Sequence, residues 1–411
     1  MRQVEFPKTV KEKAKAALAK PASLGENLDL DEYSSSAGEL PYQEDPSQLS
    51  EEYQKQMTQA GIILGEQSQR SGTIIQIDNS VIHSLARQDG LELMATSQAL
   101  GRYDWILDYW WRAVAVDTDK YTAHVELNQN DGYFIRALPY MKVMYPVQAC
   151  LYLAKNELAQ NAHNIIIAEE GSELHIITGC TTAPRQESGL HLGISEFYIK
   201  PGAKLTFTMI HNWTPGIAVR PRTGVIVEEN GVFISNYIIM RPVHSLQTYP
   251  AAKCVGENAT VRFNSILVAT PGSMLDVGSS VFLDARGSRT EIISRAITTG
   301  GDIISRGYIE GNALEVKGHM ECNGLILMEK GAIHAIPELK GNLAGIDLSH
   351  EAAVGKISEE ELEYLMARGL THTEATATIV RGFLRVDIEG LPPMLNAELQ
   401  RAVEASEREL M

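Results

Sequence analysis

Short alternations of apolar and polar residues fill the middle of the chain, from about residue 73 to residue 347. Stretches such as 165–177, 225–234 and 254–263 show these alternations on either side of a polar turn with Gly or Asn. A period of two is typical of β-strands, because successive side chains point to opposite faces. No fixed motif repeats, so the pattern is a structural rhythm only. Its turn glycines are Gly171, Gly202, Gly231, Gly256, Gly272, Gly287, Gly300, Gly311 and Gly331.

Two architectures consist of many short strands with frequent turns: antiparallel sandwiches or barrels, and parallel β-helices. A sandwich of this length needs many hairpin turns of the Asn-Gly or Asp-Gly kind. The sequence has few of them, at Asp131-Gly132, Asn230-Gly231 and Asn323-Gly324. We therefore favour a parallel β-helix over residues 73–347, with the sandwich as the alternative.

Helical periodicity returns on both sides of this zone. Residues 1–72 form an N-terminal helical and irregular region with helix-like segments at 10–20 and 50–60. Residues 348–411 read as a C-terminal helical domain, with helices at 358–369, 371–383 and 395–410. Thr371 and Glu374 form a capping-box pattern at the start of the second helix. Its apolar face either packs on the β core or docks a partner, and the pattern leaves both open.

Composition narrows the class of protein. Hydrophobic residues make up 44% of the chain, which excludes intrinsic disorder over most of its length. The formal net charge of −16 disfavours nucleic acid or an anionic membrane as the main partner. No apolar run reaches signal-peptide or membrane-span length. We expect a soluble cytoplasmic protein with reduced thiols, because no C-x-x-C pair occurs among Cys150, Cys180, Cys254 and Cys322.

The candidate chemistry lies near the end of the β zone. Alternation from Leu314 through Met320 places the Cys322 thiol on the interior face of a strand, and the residue alone favours the role of a small buried hydrophobic residue over a chemical one. His350 and Glu351 are adjacent, so in a strand they point to opposite faces and cannot both ligate one metal from one chain. Two chains, or a bend, could bring a thiolate, an imidazole and a carboxylate together. Those groups are acceptable ligands for iron.

Other catalytic patterns are missing from the sequence. It has no Walker A motif, Rossmann fingerprint, H-E-x-x-H or G-x-S-x-G. The acids Asp276, Asp284 and Asp302 are scattered over turns, which disfavours a carbohydrate-cleaving β-helix. Aromatic residues at 103–111 are numerous enough to stack a base or a flavin, but we interpret them as a cap on the core.

One stretch carries a family resemblance. Residues 347–358, DLSHEAAVGKIS, followed by EEELEYLMARGL at 359–370, resemble the signature of the SufB/SufD family, the scaffold proteins of iron–sulfur cluster assembly. Further strings at 211–213, 253–258, 290–300 and 320–323 follow in the order that the family shows. The resemblance covers roughly residues 160–390.

The resemblance implies a fold and a set of partners. The fold is a right-handed parallel β-helix between an N-terminal region and a C-terminal helical domain. Two such subunits pair edge to edge, and a nascent cluster forms where they meet. A SufC-like ABC ATPase docks on the C-terminal helices, for which we expect Leu362, Leu365, Ile379 and Phe383 to supply the contacts. A separate protein donates the sulfur.

The resemblance also implies roles for four residues. Cys322 corresponds to the thiolate needed for cluster assembly, Glu351 to a carboxylate near it, and His350 to a histidine of both branches. Cys254 matches a cysteine that accepts sulfur early. We expect this sulfur to arrive as persulfide on a low-pKa thiol, Cys254 or Cys322. The cluster is a transient cargo, and nothing in the sequence supports a flavin.

Retention of both Cys322 and Glu351 resembles SufB more than SufD. The sequence therefore predicts an assembly scaffold rather than an enzyme, working as a homodimer or beside a SufD-like subunit. The alternative is a SufD-like structural subunit that stabilises the complex without ligating iron.

Overall fold

The middle of the chain folds as a parallel β-solenoid of about eight turns, flanked by N-terminal and C-terminal helices. This computed structural model describes residues 8–65 and 69–384. The predicted parallel β-helix is confirmed, and the sandwich alternative is wrong. Its helices are α1 Lys8–Ala17, α2 Glu51–Gln59, α3 Thr96–Arg102, α4 Lys120–Leu127, α5 Glu359–Met366 and α6 His372–Phe383, with short 3-10 turns at Leu30–Glu32, Pro46–Gln48 and Asp104–Asp108.

The strands form two sheets that wind around a common interior. They are β1 Gly72–Ile77, β2 Ser80–Ala86, β3 Leu91–Ala95, β4 Tyr133–Ala137, β5 Val147–Leu153, β6 Ala159–Ala168, β7 Glu173–Thr182, β8 Gly189–Ile199, β9 Lys204–Asn212, β10 Ile217–Val219, β11 Arg222–Val227, β12 Val232–Ile239, β13 Ser245–Thr248, β14 Ala251–Cys254, β15 Thr260–Ala269, β16 Met274–Leu283, β17 Arg289–Thr298, β18 Asp302–Gly311, β19 Lys317–Ile326, β20 Ala332–Gly341 and β21 Asp347–Gly355.

Strand pairing is parallel through the body of the solenoid. The ten-stranded sheet has the order β2-β1-β5-β7-β9-β12-β15-β17-β19-β21. The eleven-stranded sheet has the order β10-β13-β16-β14-β11-β8-β6-β4-β3, with β18 beside β16 and β20 beside β18. The antiparallel pairs β1–β2 and β3–β4 both lie at the N-terminal end. Consequently β20 and β21 are the last strands at the C-terminal end among the residues that the structure describes.

A column of left-handed residues marks one corner of the solenoid and repeats at roughly 30 residues, one coil each. A positive φ is needed there because the chain reverses within one tight turn. The glycine rhythm identified this column only in part, since Asn and Glu also occupy it and glycines such as Gly272 and Gly331 lie at the opposite corner. The column consists of Gly171, Gly202, Asn230, Asn258, Gly287, Glu315 and Gly345.

Apolar side chains fill the solenoid interior and two outer layers. One continuous cluster of buried side chains fills the interior, and its members range along the sequence from Ile74 to Cys322. One outer layer joins α1 and α4 to the eleven-stranded sheet. The other joins Met57 of α2 and Val380 of α6 to the outer face of the ten-stranded sheet.

Two features of the predicted organisation differ from the structure. Helices α3 and α4 interrupt the zone that we read as free of helix, between β3 and β6. The last strand, β21, continues to Gly355, beyond the predicted start of the helical domain at residue 348. Helix α6 has the predicted Thr371–Glu374 capping box. The helix predicted at 395–410 lies outside the described residues, and among the described helices none is long and apolar enough to cross a membrane.

Candidate functional site

Cys322 lies inside the solenoid, one strand from its C-terminal end. It belongs to β19, where it pairs with Ser294 of β17 on one side and Ala352 of β21 on the other. Its side chain is 2% exposed and, like that of Met320, belongs to the interior cluster. The inward orientation is therefore as expected. Leu314, however, lies in the turn before the strand and is 55% exposed, so the alternation begins after it.

Burial sets the acidity of the Cys322 thiol. Removal from water raises its pKa, while a hydrogen bond with Ser305 and the charge of Arg295 act in the opposite direction. The expectation of a low-pKa thiol is wrong at this position, because desolvation is the largest effect. Ser305 Oγ also lies 3.0 Å from Ser294 Oγ, which places a pair of hydroxyls beside the sulfur.

His350 and Glu351 lie next to each other in β21 and face opposite sides of the sheet, as expected for neighbours in a strand. His350 pairs with Met320 and shares the interior parity of Cys322. Glu351 pairs with Glu321 on the outer face. Both side chains are exposed, because β21 is the last strand of its sheet.

One chain does not gather the expected ligands into a metal site. Among the residues that the structure describes, no group of three His, Cys, Asp or Glu side chains could hold a metal ion. The sheet separates Cys322 and His350 on its inner side from Glu351 on its outer side. A complete ligand set from these residues therefore requires a second chain or a rearrangement of β21.

An ion pair and an asparagine that the sequence analysis missed lie on the outer face beside Cys322. Arg295 Nη2 of β17 is 2.8 Å from Glu321 Oε1, and Asn323 Nδ2 donates to the same oxygen at 2.7 Å. The Arg295 guanidinium lies 5.9 Å from the centre of the Phe383 ring of α6. Arg295, Glu321 and Asn323 alternate with the inward-facing positions of Ser294 and Cys322, so the strand period could have placed them on the outer face. It could not have shown that these three side chains contact each other.

Cys254 lies deeper in the solenoid. It ends β14 in the eleven-stranded sheet and is fully buried in the interior cluster. Burial, reinforced by the Asp284 charge, raises the pKa of its thiol to about 12, so the low-pKa expectation is wrong here too. The pairing of β14 with β16 and of β16 with β18 puts Cys254 two coils before Cys322, about 10 Å along the solenoid axis.

The four residues expected to dock a partner are partly used within the chain. Leu362 is buried, and Leu365, Ile379 and Phe383 are half-buried. Helix α6 buries its apolar face on the ten-stranded sheet, which is the intramolecular alternative that the pattern left open.

Helix α5 keeps apolar surface of its own. Tyr364 is 58% exposed and Met366 is 42% exposed. Neither residue was among the expected docking residues, because periodicity identifies the buried face of a helix and not the surface that remains after packing. They add to the exposed apolar surface of the C-terminal helices.

The aromatic residues at 103–111 belong to the outer apolar layer on the eleven-stranded sheet, rather than to a cap on the interior core. Trp110 and Trp111 are buried against the eleven-stranded sheet. The backbone N–H groups of Trp111, Arg112 and Ala113 each donate to the buried Glu196 carboxylate at 2.7 Å. This segment is therefore fastened to the solenoid wall.

The family model for the SUF system FeS cluster assembly SufBD core domain matches residues 151–383, more than half of the chain and most of the solenoid. The chain belongs to the SufBD family. The match includes Cys254, Cys322, His350 and Glu351 and ends at the last residue of α6.

Curated members of the SufBD family resemble the chain over nearly its whole length. A SufBD family protein of Methanothermobacter thermautotrophicus is 48% identical over 400 residues, covering 96% of this chain and 97% of the relative. One of Archaeoglobus fulgidus is 50% identical over 357 residues, covering 87% and 96%. The iron-sulfur cluster assembly protein SufB of Bacillus subtilis is 29% identical over 387 residues, covering 89% and 82%.

Proposed function

We propose that this SufBD protein is a scaffold on which a nascent iron–sulfur cluster forms, at the C-terminal end of its solenoid. The observation that carries the proposal is the position of Cys322, the one cysteine within a single strand of that end. Thiolate is the usual protein ligand of iron–sulfur clusters. The protein acts as an assembly scaffold rather than an enzyme, and the cluster is its cargo.

A second subunit completes the site in this proposal. Within the described residues β20 and β21 each pair on one side only, and most of their side chains are exposed. Such edges favour pairing with another chain. A two-fold arrangement of two copies at these edges supplies two sets of Cys322, His350 and Glu351, and we favour this homodimer over pairing with a SufD-like subunit.

The proposed ligands divide the chemistry between them. The Cys322 thiolate is a soft ligand that holds iron and sulfide, whereas Glu351 and His350 are harder ligands that exchange readily. A cluster held partly by exchangeable ligands can leave for an acceptor protein. Burial of Cys322 in the idle state protects its sulfur from oxidation.

We propose Cys254 as the residue that first accepts sulfur from a donor protein. Its burial within the solenoid requires local opening before a donor reaches it. The short axial distance of two coils supports onward transfer to Cys322.

We further propose that a SufC-like ABC ATPase docks on the C-terminal helices. The exposed Tyr364 and Met366 of α5, next to the half-buried Leu365, provide an apolar contact surface. Movement of these helices by the ATPase couples ATP binding to a structural change at the cluster site.

The alternative function is a SufD-like structural subunit, and Glu351→Ala separates the two. A scaffold that uses Glu351 as a ligand assembles less cluster on anaerobic reconstitution with iron and sulfide, measured by the absorbance of the cluster. The matched control is Glu338→Ala, which removes an exposed glutamate from the other terminal strand, β20. Equal cluster yield from both variants would favour the structural subunit.

A further inference from the structure

A groove of about 490 Å³ crosses the outer face of the ten-stranded sheet, beside the corner at which strands β15, β17, β19 and β21 begin. Its volume suits a small molecule. Cations are concentrated there, although the whole chain has a net charge of −16. The charged and titratable residues that line the groove are Arg262, Arg289, Glu291, Lys317, His319 and Asp347.

Two cations lie side by side in this groove. Arg289 of β17 pairs with Lys317 of β19 in the strand register, so both side chains lie on the same face of the sheet. Like charges opposite each other on neighbouring strands are destabilising. Lys317 Nζ is 3.6 Å from Asp347 Oδ2, whereas Arg289 has no ion-pair partner among the residues that the structure describes. An anion bound by Arg289 and Lys317 removes this repulsion.

The two carboxylates of the groove are held loosely. Glu291 Oε2 is 3.3 Å from Arg262 Nε, and the Glu291 side chain is 53% exposed. The Asp347 side chain is 68% exposed. Exposed ion pairs contribute little free energy, so these carboxylates exchange partners at little cost. The groove therefore offers both signs of charge to a ligand.

A complex of iron with a small polycarboxylate has the matching chemistry. Its carboxylates fit the cations of the groove, since the arginine fork binds a carboxylate through two hydrogen bonds. Its metal ion and hydroxyl groups fit Glu291 and Asp347. No group of three His, Cys, Asp or Glu side chains among the described residues could hold a bare metal ion, which favours iron that arrives with ligands of its own. The negative charge of the rest of the surface repels such an anionic complex elsewhere.

We infer that this groove binds a small polycarboxylate that carries iron, with Arg289 and Lys317 as its carboxylate contacts. Ser349 lines the groove two residues before Glu351 in β21, about 7 Å along the strand. Iron passes this distance by exchanging one carboxylate ligand for another, with no change in its oxidation state. The use of the iron rests on the proposed function, but the binding of the polycarboxylate does not.

Isothermal titration calorimetry with citrate, on the full chain without iron, tests the groove. The parent chain should bind citrate, and Arg289→Gln should weaken the binding by about tenfold through the loss of a charge-assisted contact. The matched control is Arg185→Gln, which removes an exposed arginine from the turn between β7 and β8 and should leave the affinity unchanged. Inorganic phosphate, which is too compact to reach all the cations, should bind more weakly than citrate. No binding by the parent, equal weakening in both variants, or tighter binding of phosphate would overturn the inference.

Reconstitution with two sources of iron tests what the groove is for. Arg289→Gln should slow cluster formation from iron citrate by about tenfold, in line with its weaker binding, and leave the rate from a simple ferrous salt unchanged. Equal rates from iron citrate in the parent and Arg289→Gln would show that the groove does not deliver iron. A parent chain that assembles no cluster from either source would contradict the proposed function, while the citrate titration would still decide whether the groove binds a polycarboxylate.

Discussion

At the scale of single residues, the interior of the solenoid contains uncharged imidazoles. His191 of β8 is enclosed, with its Nδ1 2.9 Å from Gln160 Oε1 and its ring 5.2 Å from the Trp213 ring. Burial lowers the pKa of His191 to about 4. His211 is enclosed too, and burial, with the nearby His191, holds its pKa well below the usual range.

Acid should therefore destabilise the fold through His191. The unfolded chain binds a proton near pH 6.5 and the folded chain only near pH 4, so stability from this group is complete above pH 6.5 and is lost as the pH falls toward 4. The loss between pH 7 and pH 4.5 is about 2 kcal/mol in the free energy of unfolding. Urea unfolding at both pH values should show a smaller acid effect in His191→Gln than in the parent. The exposed His334→Gln is the control, and identical pH dependence in all three proteins would contradict the assignment.

At the scale of elements, the corner turns set the length of each coil. Gly287 has a φ of +70°, and a Cβ added there lies 2.5 Å from Asn258 Oδ1 in the same column. Gly341, at the end of β20, has only ordinary contacts of 3.8 Å and more around an added Cβ. Alanine substitutions at these two glycines therefore distinguish the effect of backbone strain from the effect of adding a methyl group.

Gly287→Ala should lower the free energy of unfolding by about 1–3 kcal/mol, through the left-handed backbone and the contact with Asn258. Gly341→Ala should change it by less than about 0.5 kcal/mol. Denaturant midpoints of the two variants provide the comparison. Equal midpoints would show that the corner tolerates a side chain and that its conformation does not define the coil.

The alternation of apolar and polar residues predicted the strands better than it predicted which residues contact each other across strands. The period of two identified the strands and the interior parity of Cys322, because apolar residues predominate on the interior face. It did not reveal α3 and α4, whose segments are short and surrounded by strands. Which residues lie side by side on neighbouring strands, such as Glu321 and Glu351, depends on the number of residues in each coil. A sequence without a repeated motif does not reveal that number. The raised pKa values of the Cys254 and Cys322 thiols arise from burial by residues distant in the sequence, which the expectation of a low-pKa thiol did not take into account.

At the scale of the whole molecule, the two ends of the solenoid differ. The N-terminal end closes with the antiparallel strands β2 and β3. The C-terminal end exposes β20 and β21, including Val354, and there the account places a second subunit. An open hydrophobic strand edge otherwise favours aggregation.

A charge at this edge should therefore weaken dimerisation. Val354→Asp introduces a carboxylate that must be desolvated in the interface, and the dimer dissociation constant should rise by about tenfold or more. Sedimentation equilibrium measures the mass directly. The control is Val255→Asp, at an equally exposed valine beside β14 and away from the edge. A parent chain that is monomeric, or equal masses in both variants, would contradict the edge-to-edge dimer.

The most direct test of the central claim is anaerobic reconstitution with iron and sulfide of the parent chain, Cys322→Ser and the control Cys150→Ser. Cys150 is as buried as Cys322 but lies in β5, far from the C-terminal end. The account predicts that bound iron and cluster absorbance fall by about tenfold or more in Cys322→Ser and stay at the parent level in Cys150→Ser. Undiminished cluster in Cys322→Ser would contradict it.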